Sequence, residues 1–376
     1  MSEYQYYEFQ AIDRPLAEAD REALRALSSR ARITTTSFTN HYEWGDFSGD
    51  PRRLVARWFD LHLYLANWGT RCLMMRLPKR LMERERLDPF LLDVDWVEVW
   101  EAGEHLVVDM CRDEIEEGYS DWDDGSGWLD RLAPLRADVL SGDLRLFYLL
   151  WLTALEDGIL KADETEPLAG LGPLTGALEA AADFFGIDRD LLDAAAERSD
   201  GPDPVALDGV MQTTIAGLSD AAKTSLLMRV ADGDPHVGAE LRQTARIGET
   251  GSGATPRTVE ELTARAEALA HAREHAEAKR RAEEQRRQAA LAARKRRKRL
   301  DEVMQRGEAV WTEVETEIAR RNASGYEHAA ALLFDLEAIA IERGTLADFI
   351  HRLDAIRDRH ARKERFLERL KGLGER

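Results

Sequence analysis

Between residues 270 and 299 the chain offers one large aliphatic side chain, Leu291, and the stretch ends in six consecutive cations, Arg294-Lys-Arg-Arg-Lys-Arg299. Such a segment cannot build a core of its own. Its Ala, Arg, Glu and Lys content favours a helix. No apolar residue recurs at a heptad's inner positions, so a two-stranded coiled coil would have nothing to bury. Support must come from alanine propensity and from pairs such as Glu277 with Arg281 and Glu283 with Arg287, each worth about 0.2–0.5 kcal/mol. Thr258 and Glu261 read as a capping box at the helix start. Apolar periodicity resumes at Leu300, Val303, Met304, Trp311, Val314 and Ile318. A helix continuous to Arg321 would be roughly 95 Å long. Two more helices are expected over 326–341 and 346–370, with turns at Ser324-Gly325 and Arg343-Gly344.

The basic block stands against an acidic background. Residues 279–299 hold eleven basic side chains and two acidic ones, Glu283 and Glu284, a local +9 in a chain of formal net charge −19. Residues 1–256 carry 25 basic and 48 acidic groups (−23), and 257–376 carry 27 and 23 (+4). An acidic body with a basic handle follows. A run of cations pairs with a polyanion or an acidic surface within reach. The bland alternative is a rigid spacer, but a spacer balances its charges, and here Asp301 and Glu302 relieve only part of the repulsion. The contact residues are expected to be Arg286, Arg287, Arg294, Lys295, Arg296, Arg297, Lys298 and Arg299. No aromatic lies among them to stack on bases, so any nucleic acid should be held by its phosphate backbone, without sequence specificity. An acidic protein competes as partner, as does the chain's own segment 93–124, with thirteen acids and one base, Arg112.

Upstream, 376 residues exceed one ordinary core. Tyr4, Tyr6 and Phe9 mark a strand, Pro15 starts a helix with Leu16, Leu24 and Leu27, and the Thr- and aromatic-rich stretch 32–42 reads as another strand. Pro51 starts a helix with Leu54, Trp58, Leu61 and Leu65 on one face. Residues 71–77 form a third strand, and 94–100 with 105–110 flank Ala102-Gly103 as a hairpin. From residue 130 to about 246 the apolar spacing is helical: Leu144, Phe147, Leu150 and Trp151, then Leu178, Phe184 and Phe185, then Leu226, Leu227 and Val230. The fold class is therefore mainly α with an N-terminal α+β domain: a small antiparallel sheet plus helices (1–128), a central helical domain (129–247), a linker (248–257), and a long basic helix leading into a helical hairpin or bundle (258–376).

Cys72 and Cys111 are the only cysteines, too few for a disulfide framework or a four-cysteine metal site. A reducing cytoplasm fits, and the N-terminus has no basic or apolar leader. The most apolar stretch, 144–155, is too short to cross a bilayer. No membrane contact, metal or cofactor is expected.

The pattern Trp311-Thr-Glu-Val-Glu-x-x-Ile, then Tyr326-x-x-Ala329-x-x-Leu332-Leu333-x-Asp335-Leu336, then Phe349-x-x-x-Leu353-x-x-Ile356-Arg-Asp-x-His360-x-x-Lys363 resembles the helical tail of bacterial SWIM-type zinc-finger proteins, over about a fifth of the chain. That family's Cys-x-Cys and Cys-x-His zinc signature is absent, so metal binding does not carry over. The opening Tyr4-Gln-Tyr-Tyr-Glu-Phe-Gln-Ala-Ile-Asp13, with Trp44-Gly-Asp-Phe-x-Gly-Asp-Pro51, resembles bacterial proteins to which no activity attaches.

Catalytic signatures are weak. His271-Ala-Arg-Glu274-His275 imitates a zinc-peptidase helix, but a solvated face offers no wall to desolvate a metal. Gly248-Glu-Thr-Gly-Ser-Gly253-Ala254-Thr255 imitates a phosphate loop with Ala254 in place of its lysine. Asp121-Trp-Asp123-Asp124-Gly125 lacks the glycine and carboxylate of a calcium loop, with Ser126 and Leu132 there instead. Gly217-Leu-Ser219 misses the nucleophile elbow, and Ser219 reads as a helix cap. His41, Glu43, Trp44 and Asp46 are the densest polar and aromatic cluster. They could line a pocket for acid–base work, or simply pack a loop capped by Asp50. The leading expectation is a non-enzymatic interaction protein whose C-terminal helices dock a protein partner and whose basic helix meets a polyanion. The alternative is an enzyme with its pocket at residues 41–50.

Overall fold

In the computed structural model, residues 3–92, 94–113, 115, 124–199, 204–247 and 255–374 are described. The chain forms two compact units, Met1–Arg273 and Glu274–Arg376.

The first unit is built on seven strands: Gln5–Gln10 (β1), Arg32–Ile33 (β2), Ser37–Tyr42 (β3), Leu61–Ala66 (β4), Arg71–Pro78 (β5), Val97–Ala102 (β6) and His105–Arg112 (β7). They form one antiparallel sheet in the order β2-β3-β1-β4-β5-β7-β6. Successive side chains in a strand point to opposite faces, and both faces of this sheet are covered. On one, Phe9, Phe38, Met74 and Val107 pack with Leu24, Leu54 and Val55 of the helices Glu18–Leu27 and Pro51–Arg57. On the other, Leu63, Leu73, Met75 and Val108 pack with Leu132, Val139, Phe147 and Leu150 of the central helices. The sheet is larger than the small one expected, and the α+β character of the N-terminal part with a helical remainder is as read from the sequence.

The division between units falls elsewhere than the sequence reading placed it. No boundary separates 1–128 from 129–247, because the central helices supply the cover for the sheet's second face. Left bare, that face would expose fully buried Leu61, Leu63, Leu65 and Leu73, each worth about 1.5–3 kcal/mol of burial. Nor does the chain leave this core at 248–257. Residues 248–254 lie outside those described, but Arg257 is buried and Leu262, at the start of the long helix, belongs to the same core.

Several local expectations are corrected. The helix begun by Pro51, capped by Asp50 through Arg53 N at 3.3 Å, ends at Arg57. Leu61 and Leu65, expected on its face, belong instead to β4, between β1 and β5. The stretch 32–42 is a hairpin of two strands rather than one. Ala17, not the residue before Pro15, precedes the first helix, and the β6–β7 turn is Gly103-Glu104, with Ala102 paired to His105. On the helix Asp220–Ala231, Leu227 and Val230 are exposed rather than core. Cys72 and Cys111 face each other across β5 and β7 and are joined in a disulfide. Cysteine usage therefore gives no argument for a reducing compartment.

The second unit contains the rest of the long helix Val259–Arg306 and the helices Ala309–Ala319, Ala323–Arg343, Leu346–Arg359 and Glu364–Arg369. Its core is Leu300, Val303, Val314, Ile318, Leu333, Phe349, Leu353 and Phe366 with their neighbours. The long helix, about 72 Å at its 48 residues, stops at Arg306 and not at Arg321. Gly307 takes φ +54°, a left-handed conformation that breaks the helix and suits glycine. Ser324-Gly325 lies inside a helix capped by Asn322 rather than in a turn, whereas Gly344 ends that helix at φ +69°. The expected 346–370 helix is two helices. Among the described residues no helix is long and apolar enough to cross a membrane.

Candidate functional site

The capping box forms as the residue types require: Glu261 N donates to Thr258 Oγ1 at 3.2 Å and Thr258 N to Glu261 Oε2 at 3.0 Å. From residue 271 to 299 every side chain of this helix is exposed. Twelve of those 29 residues are basic and four acidic, a net +8. Glu277 pairs with Arg281 at 3.2 Å as expected, while Glu283 and Arg287 form no ion pair.

The eight predicted contact residues divide into two groups. Arg297 pairs with Asp301 (3.1 Å) and Glu342 (2.8 Å), Lys298 with Glu302 (3.8 Å), and Arg299 with Asp335 (2.5 Å). These three are occupied within their own unit. Arg286, Arg287, Arg294, Lys295 and Arg296 have no acidic partner among the described residues. At about 100° per residue, Arg280, Arg287 and Arg294, each seven positions apart, lie along one helical line. Lys279 and Arg286 run beside it. The result is a ladder of cations roughly 10 Å apart. Of the acidic stretch 93–124, the competing partner, Asp93, Glu114 and residues 116–123 lie outside the described residues.

The four residues of the alternative pocket lie at the surface. His41, Glu43, Trp44 and Asp46 are all exposed, Trp44 at 74%. The His41 ring stacks on Tyr4 (6.1 Å), and Asp46 accepts from Gln5 Nε2 at 2.8 Å. They pack and finish a loop, with Phe47 as its buried anchor. The zinc-peptidase imitation, His271, Glu274 and His275, is exposed throughout. Among the described residues no three His, Cys, Asp or Glu side chains converge as metal ligands. Ser219 caps the next helix through Ala222 N at 3.2 Å. The phosphate-loop imitation at 248–254 and Asp121–Asp123 of the calcium imitation lie outside the described residues.

Sequence reasoning missed a second site, in the first unit. A cleft of about 490 Å³ is lined by Asp13, Arg14, Arg57, Arg76, His105 and His236 among others. Under it lies a buried charge network. Asp60 Oδ2 accepts from Ile12 N (2.6 Å) and Asp13 N (2.9 Å), while its Oδ1 accepts from Arg76 Nη2 (2.7 Å). Arg136 donates to the Arg76 carbonyl (2.8 Å) and grips Asp13 through both Nη atoms (2.8 and 2.7 Å). His236 Nε2 meets Asp13 Oδ2 at 3.1 Å. Burial pushes the Asp13 pKa up, but the hydrogen bonds from His236 and Arg136 outweigh it and hold the carboxyl well below its usual range. Burial, reinforced by the nearby Arg76 cation, pushes the His105 pKa down. These groups come from the end of β1, the helix Pro51–Arg57, β5, β7, the helix Pro134–Leu140 and the loop before Val237–Ile247. Spread so widely, they form no motif in the sequence. The one local hint is Asp234-Pro-His236, a breaker carrying a histidine.

No family model, no curated protein and no solved structure matches this chain.

Proposed function

We propose that this chain is a non-enzymatic, cytoplasmic interaction protein whose exposed basic helix docks on a polyanion, the phosphate backbone of a nucleic acid. The observation that carries the reading is the run of 29 exposed helical residues at net +8, five of whose predicted contact cations have no acidic partner among the described residues. A protein partner would need buried apolar or aromatic anchors, and this stretch offers only Leu291, itself 51% exposed. Phosphates need no such anchor, only cations whose binding releases condensed counterions. The enzyme alternative gains no support from the exposed placement of His41, Glu43, Trp44 and Asp46.

The test is a salt titration of duplex DNA and RNA binding by the full chain. A variant with Arg286, Arg287, Arg294, Lys295 and Arg296 changed to Gln should bind more weakly on unrelated sequences alike. Its log-affinity against log-salt slope should flatten by roughly 0.9 per lost duplex contact. Circular dichroism should stay unchanged, because Gln keeps helix propensity. A parent chain that binds no nucleic acid at about 0.15 M salt, yet captures one acidic protein through these residues, would replace the nucleic-acid reading with the acidic-partner one.

A further inference from the structure

The cleft in the first unit has an imbalance that its network does not explain. Its acids are already matched: Asp13 by Arg136, Asp60 by Arg76, and Asp234 by Arg80 (2.7 Å) and Arg229 (2.9 Å). Glu104 remains, and it is exposed. Two cations on the same wall are not matched. Arg14 donates one bond, to the Arg57 carbonyl at 3.2 Å, and the Arg57 guanidinium lies over the Trp58 ring at 4.5 Å. Neither has an acidic partner among the described residues. The His105 ring has no hydrogen-bond partner there either. His236 is engaged by Asp13 through Nε2 and is not counted among the free donors. Unclaimed donors therefore gather on one concave surface of a unit that is otherwise strongly acidic.

We propose that this cleft binds a small phosphate-bearing molecule, with Arg14 and Arg57 gripping the phosphate and His105 donating a further hydrogen bond. One guanidinium fork saturates a carboxylate's two oxygens, whereas two forks and an imidazole match the three free oxygens of a phosphomonoester. The volume sits at the lower end of the roughly 300–1,000 Å³ typical of small-molecule sites. Ala56, Ala102, Gly103 and Pro235 supply small apolar walls, and no Phe, Tyr or Trp is among the lining residues to stack a base. A compact, non-aromatic phosphate fits these walls. The network beneath acts as the positioning layer: Arg136 holds Asp13, and Asp13 holds the His236 ring through Nε2.

The experiment titrates inorganic phosphate, acetate and chloride, at matched ionic strength, into the full chain. It follows the ring resonances of His105, assigned through His105→Gln, and the phosphorus line width. Phosphate should saturate the His105 shift with a millimolar or tighter constant, and acetate should bind more weakly. The double variant Arg14→Gln/Arg57→Gln should weaken phosphate by about tenfold or more. Both positions are exposed, so the fold should survive; Arg14→Gln alone carries the same test with a smaller loss. Changing Arg294, Lys295 and Arg296 to Gln should leave this affinity unchanged, which separates the cleft from the basic helix. Superimposed phosphate and chloride titrations, or a double variant that binds like the parent, would overturn the proposal. Acetate binding tighter than phosphate would overturn the ligand class.

Discussion

Arg257 and Glu166, 91 residues apart, are locked together in the interior of the first unit. Arg257 gives Glu166 its backbone N–H (2.8 Å), Nε (3.0 Å) and Nη2 (2.9 Å), and spends its other donors on the carbonyls of Ala194 (2.7 Å) and Ala195 (3.3 Å). Tyr148 donates its hydroxyl to the same carboxylate. The side chains are 7% and 0% exposed. This clasp ties the chain to the core one residue before the capping box, so the long helix starts from a fixed point.

Removing one partner of the clasp should cost far more than removing both. Arg257→Ala strands a buried carboxylate beside Tyr148, an arrangement that costs about 3–5 kcal/mol. Arg257→Met with Glu166→Gln should recover much of that loss, because no uncompensated charge remains. Urea unfolding of the two variants decides it. An Arg257→Ala midpoint close to the parent's would mean the clasp contributes little.

His62 sets a stability limit on the acid side. It is fully buried on β4, stacked 3.9 Å from the Phe9 ring, with Nδ1 3.0 Å from the Glu8 carbonyl. Desolvation lowers its pKa to about 4, and the Glu8 carbonyl opposes this only in part. The unfolded chain, with a pKa near 6.5, binds the proton more readily over that interval. Stability from this group is therefore fully present above about pH 6.5 and is lost as pH falls towards 4, on the order of 3 kcal/mol in all. His62→Phe should flatten the pH dependence of the unfolding free energy between those limits. An unchanged slope in that variant would remove His62 as the cause.

The sequence pattern disclosed those elements whose local chemistry was self-sufficient. Thr258 and Glu261 satisfy each other. The run 270–299 has too few apolar groups to be anything but a solvated helix, and β6 and β7 alternate around a tight turn. Leu61 and Leu65 misled for a physical reason. With Leu54 and Trp58 they repeat at helical spacing, and a strand buried on both faces loses the polar alternation that marks a half-exposed one. The same double burial hid the unity of the first core, because a helical stretch that covers a sheet reads in isolation as a separate domain. The Asp13–Arg136–His236 cleft was not legible, since its members lie 223 residues apart at the extremes and only the fold brings them together.

The exposed cluster at residues 41–46 should prove dispensable. Alanine at His41, Glu43 or Trp44 removes side chains that are exposed, so each should shift stability by about 0.5 kcal/mol or less. Phe47→Ala is the informative contrast. Its ring is buried beside Tyr7, Phe9 and Phe38 at centroid distances of 5.3, 6.3 and 5.6 Å, and its loss should cost about 3–5 kcal/mol. Thermal unfolding of the four variants separates them. A large effect from His41→Ala or Glu43→Ala would reopen a structural or chemical role for the cluster.

The six consecutive cations should separate into two functions when changed individually. Arg299 reaches Asp335, whose side chain is 14% exposed, across the second unit's helices, and Arg297 reaches Glu342. Since Arg299 is itself 53% exposed, solvent screening limits the pair, and Arg299→Gln should cost the second unit about 1 kcal/mol. Arg294, Lys295 and Arg296 point to solvent without an acidic partner among the described residues, and neighbouring like charges repel. Changing them to Gln should leave stability unchanged or raise it by a few tenths of a kcal/mol. Polyanion binding should show the opposite order. The three solvent cations should each flatten the salt slope by roughly 0.9 on duplex, and Arg299→Gln should flatten it less, because its charge is already matched. Paired measurements of unfolding and salt-dependent binding on the same variants test both halves. If Arg299→Gln weakens binding as much as Arg294→Gln does, the Asp335 pair gives way to the polyanion, and the split between a structural end and a contacting end of the block fails.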